Sequence, residues 1–227
     1  MRRSIAMSII SLMLAAISQG GQPSRFNTNW ISPKPDVSTY RSTGKQGDGL
    51  YQVSVMRSDS IIEVYINIIT PGFTKTVTGK MTLDMRALKS TGKIIVGNGM
   101  VMNTKCKYGK DWLAIKTVIA PYNQAVGDSL GYKEQVIDFS QVPLLVRVLR
   151  LDTASQYSFA SLNPNTNKIM PMTVRTIGDG RIMDVDCYKV EMNNFEGRAI
   201  YWVEKGSQHR VMRIEQPDMS RTSELIQ

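Results

Sequence analysis

Histidine occurs once in this chain of 227 residues, at His209, and cysteine only twice, at Cys106 and Cys187. A lone imidazole beside a turn, at the start of a strand, removes most metal and Ser-His designs, and a surface position without catalytic duty is the expectation for it. No glycine-rich phosphate loop precedes a helix, and no nucleotide motif appears. Asp179, Asp184 and Asp186 cluster in sequence, as a calcium or acid/base site would require. Asp179, however, sits in a Gly-Asp-Gly stretch, and Asp184 and Asp186 share one face of an alternating strand, so a solvated face explains them better. Apolar runs of about 18 residues are missing, which excludes a transmembrane helix. Internal repeats and low-complexity segments are missing as well.

What is present begins with a leader. Met1, Arg2 and Arg3 precede a short apolar run over residues 5–17, and Ala16 and Ser18 supply the small residues of a cleavage site, so residues 1–20 read as a signal peptide cut between Ala16 and Gly21. No cysteine lies near that site to accept a lipid, and the expected product is a soluble periplasmic or secreted protein. In such a compartment Cys106 and Cys187 are an even pair, and joining them would close a loop worth on the order of 4 kcal/mol. Both sit mid-strand in segments far apart in order, however, and free thiols are the expectation.

Residues 21–49 are rich in Pro, Ser, Thr, Asn and Gly and read as a loosely docked N-terminal arm. Residues 50–227 form the expected single domain. Alternation begins at Leu50: Tyr51, Val53 and Val55 share a face, as do Ile62, Val64, Ile66 and Ile68, and threonines alternate with Phe73, Val77 and Met81 in the next segment. Met100, Met102, Thr104, Cys106 and Tyr108 share what should be an inner face. Residues 121–131 read as a polar loop. Later strands fall over residues 156–162, 168–177, 181–192, 198–204, 209–215 and 222–226, with turns at residues 163–165, 178–180, 193–197 and 205–207.

One stretch breaks the alternation. Val142, Leu145, Val146 and Leu149 follow a helical period, and Leu144, Val148 and Leu151 widen the stripe to most of the circumference, so a helix over about residues 140–151 must be covered nearly all round. Ser140 is the expected N-cap, Pro143 fits the first turn, and Arg147 and Arg150 suit the C-terminal end. The fold class is therefore mainly β: a single curved antiparallel sheet, a half-barrel, wrapped round one apolar helix.

The helix after "EQVIDFSQVPLLVRVLRL", the strands "RIMDVDCYKVEMNN" and "GRAIYWVEKGSQHRVMRIEQ", and the earlier "GKMTLDMRAL" resemble a family of bacterial periplasmic proteins of unassigned function. Its members share the half-barrel fold of the lipoprotein carriers LolA and LolB. The resemblance covers about residues 49–225 and implies a concave face that holds acyl chains or another apolar ligand. The chain departs from LolB-like members by lacking the lipidated cysteine and from LolA-like carriers by being built around one clear helix.

Fourteen methionines, many in strands, suit an adaptable apolar surface as well as an ordinary core. The expected binding face lies between the helix residues Leu145 and Leu149 and a sheet face carrying Met100, Met102, Trp112 and Trp202. The formal charge of +9 is spread along the strands without an aromatic stacking motif, which suits anionic lipid surfaces, or mere solubility, better than nucleic acid. The first reading is a non-enzymatic envelope protein that binds a lipid, acyl chain or lipidated partner and needs no cofactor. A structural or interaction protein whose helix fills the concavity stands second, and a hydrolase third.

Overall fold

The computed structural model describes residues 25–226 apart from positions 46 and 207; the leader expected over residues 1–20 lies outside the described residues. Alternating segments joined by short turns form a meander. Strands β1 (Asp36–Gly44), β2 (Gly49–Arg57), β3 (Ile61–Thr70), β4 (Phe73–Thr82), β5 (Ala87–Val96), β6 (Val101–Tyr108), β7 (Trp112–Ala120) and β8 (Gln124–Gly131) each pair antiparallel with the next. A second meander follows: β10 (Gln156–Asn163), β11 (Lys168–Ile182), β12 (Val185–Asn194), β13 (Gly197–Glu204), β14 (Val211–Gln216) and β15 (Arg221–Leu225). β15 returns to pair with β1, Tyr40 facing Leu225, and joins both meanders into one sheet of fifteen strands. The two-residue β9 (Val136–Ile137) runs parallel to β10 at the far edge.

Chain length forces the curvature. The two edge strands, β8 and β9, are consecutive in sequence, and five Cα steps reach at most ~18 Å. The edges of a flat sheet of this width would lie roughly 65 Å apart. The sheet therefore curls through most of a turn, yet β8 and β9 share no ladder and it stays open. This is the expected mainly-β class, a curved sheet around one helix.

The helix α1 (Val142–Val148) is shorter than its apolar stripe, with Leu144, Leu145, Val146 and Val148 fully buried. Burying each such side chain contributes about 1.5–3 kcal/mol. The expected cap is corrected: Gln141, not Ser140, occupies the N-cap position, and no side chain caps the helix. Ser140 is instead drawn into a buried polar network. The Asp138 carboxylate accepts from Ser90 Oγ at 2.8 Å, from the Ser140 backbone N–H at 2.7 Å and from the Tyr108 hydroxyl. The Asp138 N–H in turn donates to Gln141 Oε1 at 2.6 Å, and Gln141 Nε2 donates to the Met85 carbonyl at 2.6 Å. These bonds fasten the start of α1 to β5, β6 and the β4–β5 turn. At its other end the helix stops because Leu149 turns extended and bridges Phe26.

The loosely docked arm is also corrected. Asp36–Gly44 is a strand within the sheet, and residues 25–31 seal one end of it. Phe26 and Ile31 are buried, Asn27 N–H donates to the Val148 carbonyl at 2.6 Å, and Thr28 Oγ1 donates to the Leu83 carbonyl at 3.2 Å. Arg147, its side chain only 5% exposed, reaches Asp36 Oδ2 at 2.9 Å, and its guanidinium lies 3.9 Å from the centre of the Trp30 ring. Two turn assignments move as well. Residues 124–131 form β8, exposed almost throughout, rather than a loop. The Gly178–Gly180 stretch lies inside β11, with a bulge between Thr176 and Gly178, and the turn falls at Met183 and Asp184. Gly180 is glycine because the Trp202 ring covers it: an added Cβ would meet that ring at 2.5 Å.

Candidate ligand-binding chamber

The register sorts the loops by end. Helix α1 and residues 25–31 close the end where β1 and β5 begin. The β3–β4 and β12–β13 turns and the short helical turn Pro217–Met219 stand at the other end, which is open. Between them the concave face encloses a recess of about 100 Å³ that continues into a vestibule of about 500 Å³. The two share Ile68, Lys75, Val77, Phe139, Glu196, Gln216 and Arg221 in their walls. Volumes of this order fall in the range of small-molecule sites.

Each wall follows from a local pattern. Ile66 and Ile68 on β3 and Val77 on β4 are the inward members of alternating strands, and Phe139, Val142 and Pro143 at the start of α1 make the floor of the recess. Gly92 leaves room for Phe139, whose ring an added Cβ would meet at 3.3 Å. Tyr51 and Tyr201 line the recess, and burial pushes both phenols well above their ordinary pKa, so they stay protonated. Lys75 and Glu196 form an ion pair at 3.1 Å.

Of the six residues expected at the binding face, Met102 lines the vestibule. Leu145 and Leu149 are completely buried in the core, where their role is packing. Met100 is half-buried just ahead of β6 at the open end, outside the lining. The two tryptophans are corrected. Trp112 stands at the closed end, 40% exposed, with its indole over Gly109. Trp202 lies on the convex face: its neighbours Tyr201 and Val203 point inward, its N–H donates to Glu215 Oε1 at 2.9 Å, and Lys189 Nζ sits 4.3 Å from its ring centre. Alternation along β3 and β4 pointed to Ile66, Ile68 and Val77, but their gathering with Tyr201 and Arg221 depends on the β1–β15 pairing, which no local pattern announces.

The buried polar network beneath the chamber holds α1 in place. Burial raises the Asp138 pKa against the pull of its hydrogen bonds, and burial beside Asp138 pushes the Cys106 thiol up to about 12. A thiol so placed is a packing group at neutral pH, since nucleophilicity needs the thiolate. Cys106 and Cys187 are both free and buried. Among the described residues no cluster of His, Cys, Asp and Glu is suited to a metal ion.

The outer face carries a second feature. Register sets Lys89 beside Lys107 and Lys105 beside Lys116, with Lys93 four residues beyond Lys89 on the same face of β5. All five are exposed, and none has an acidic partner among the described residues. Like charges directly opposed across strands cost stability, so the pattern is not a packing device. In sequence these lysines are spread over three strands, and only pairing collects them.

Fold and chamber together define an open, β-barrel-like protein closed at one end by a helix. No protein-family model matches the chain, and no curated protein matches it. Among solved structures it is similar to a beta-barrel-like protein of domain of unknown function DUF1849 from Brucella abortus, with a TM-score of 0.57 and 10% identity over 87% of this chain and 98% of that one. At this identity the likeness is one of fold. It bears out the expected β-barrel-like fold and leaves the more specific resemblance to LolA and LolB without support.

Proposed function

We propose that this protein binds an apolar ligand, such as a lipid, an acyl chain or a lipidated partner, in the concave chamber. The observation that carries this reading is the space itself: a helix of seven residues occupies only the closed end of the sheet, and the rest of the concavity, walled by Ile68, Val77, Ile94 and Met102, stays open to about 500 Å³. Apolar walls around an open volume favour displacement of water by an apolar guest. The alternative, a structural protein whose helix fills the concavity, would require a longer helix than the one observed.

Export supports the same reading. The leader-like residues 1–20 fit delivery to the periplasm, and no helix among the described residues is long and apolar enough to cross a membrane. The lysine face of β5–β7 suits attraction to an anionic membrane surface, each lysine contributing roughly 1 kcal/mol near such a surface.

Titration with dispersed fatty acid or phospholipid is expected to raise the melting temperature of the protein as ligand binds the native state. An unchanged melting temperature across both titrations contradicts the reading. For the surface, cosedimentation with vesicles containing phosphatidylglycerol should exceed that with phosphatidylcholine vesicles and fall when Lys89, Lys105, Lys107 and Lys116 are replaced by Gln. Equal sedimentation with both vesicles removes the membrane partner and leaves the chamber to be judged separately.

A further inference from the structure

Within this apolar-ligand reading, we infer that the chamber selects amphiphiles with an anionic head group, which Arg221 holds while the chain extends toward Ile94 and Met102. Arg221 lies two residues before Ser223 on β15 and so shares its inward face; Ser223 is buried and donates to Ser42 Oγ at 3.1 Å. Arg221 accordingly borders both the recess and the vestibule.

Charge inside the chamber is unbalanced. Lys75 and Glu196 are the other charged residues in the lining, and they satisfy each other at 3.1 Å. Arg221 has no carboxylate partner and no hydrogen-bond acceptor among the described residues, although Arg213 on the same sheet is paired with Glu224 at 2.6 Å. Arg221 is partly buried at the border of the open end, where a guanidinium without a carboxylate partner is free to meet an anion, and its planar fork fits carboxylate or phosphate oxygens in a bidentate manner. Tyr201 and Gln216 line the recess beside it and can donate to the same head group, the tyrosine remaining protonated because burial raises its pKa. On the side of β3 and β4 the wall is aliphatic through Ile68 and Val77, interrupted by Lys75, whose charge Glu196 neutralises, and Ile94 and Met102 continue it into the vestibule. One polar wall and one apolar wall describe an amphiphile.

The test compares heads on one chain length. Isothermal titration of the full protein would use hexadecanoate, hexadecyl phosphate and hexadecanol below their aggregation limits, with inorganic phosphate as a fourth titrant. Wild-type protein should bind an anionic amphiphile about tenfold or more tightly than hexadecanol. Whichever of hexadecanoate and hexadecyl phosphate binds more tightly identifies the head. Arg221→Gln should bring the anionic and neutral ligands within about twofold while leaving hexadecanol affinity unchanged, and Arg221→Lys should retain part of the preference. The unchanged affinity for hexadecanol also shows that the variant is folded. Equal affinity of wild type for hexadecanol and both anions overturns the inference while keeping the apolar-ligand reading, as does a preference that survives Arg221→Gln. Inorganic phosphate binding as tightly as hexadecyl phosphate overturns the amphiphile class. Failure of all four titrants to bind overturns both the inference and the reading beneath it.

Discussion

Replacing Leu145 and Met102 separately by alanine distinguishes an open chamber from a solid core. Both are large apolar residues at expected interior positions, yet their surroundings differ. Leu145 is fully buried in α1, packed on every side, and its loss leaves a cavity that rigid neighbours on the sheet cannot fill. The cost expected from transfer plus cavity is about 3–5 kcal/mol. Met102 lines the vestibule and is only half-buried, so truncation removes part of one contact surface and enlarges a space that already exists. Its expected cost is about 1 kcal/mol or less, from the smaller apolar area withdrawn from water. Urea unfolding followed by circular dichroism reads both values, provided the slope of the transition is unchanged between variants. In melting temperature the difference is on the order of 5–15 °C for a domain of this size. Equal costs for the two substitutions would refute the reasoning, because they would mean that Met102 is packed as tightly as Leu145 and that no chamber opens beside it.

Three other outcomes follow from the same packing. Gly79→Ala places a methyl group 2.1 Å from Ser140 Oγ, and Ser140 is held by its N–H bond to Asp138, so the variant should lose about 1–3 kcal/mol in urea unfolding; a loss below about 0.5 kcal/mol contradicts the close seating of α1. Asp138 has its pKa raised in the folded state by burial, so the stability it contributes is full below the ordinary carboxylate pKa and is lost as pH rises through the folded value. The stability of wild type relative to Asp138→Asn should therefore decline as pH is raised above about 4, and a difference that grows with pH contradicts the assignment. Arg147→Met removes the ion pair to Asp36 and the stacking on Trp30, and should cost about 2 kcal/mol while exposing residues 25–35 to limited proteolysis; unchanged stability and protection would detach the arm from this account.

The strands with apolar inner faces, β2, β3, β4 and β6, are legible residue by residue, because alternation is a local property and one face of each lies on the core. β1 is not. Its inward residues are Ser38, Tyr40 and Ser42, and the Ser42–Ser223 hydrogen bond replaces the apolar contact that a pattern would reveal. β1 carries the junction between the two meanders, and it is this pairing that brings Arg221 and Tyr201 round to face Ile68 and Val77. The helix is legible from its period but not in its length: Leu149 is apolar because it packs beside Phe26, outside the last turn. Glycines misled in the opposite sense, since Gly180 answers to the Trp202 ring rather than to a turn. Met102 was identifiable as an inner-face residue, whereas the sides taken by Trp112 and Trp202 depend on which neighbours of each strand reach the core.

The central claim is that the concave chamber carries an apolar guest, and native mass spectrometry of the protein purified from the envelope fraction of cells that make it tests this most directly. The account predicts a population heavier than the polypeptide by one discrete lipid mass, which is lost on collisional activation and restored by incubating the stripped protein with a total lipid extract. A spectrum showing only the bare polypeptide, both as purified and after that incubation, would contradict it.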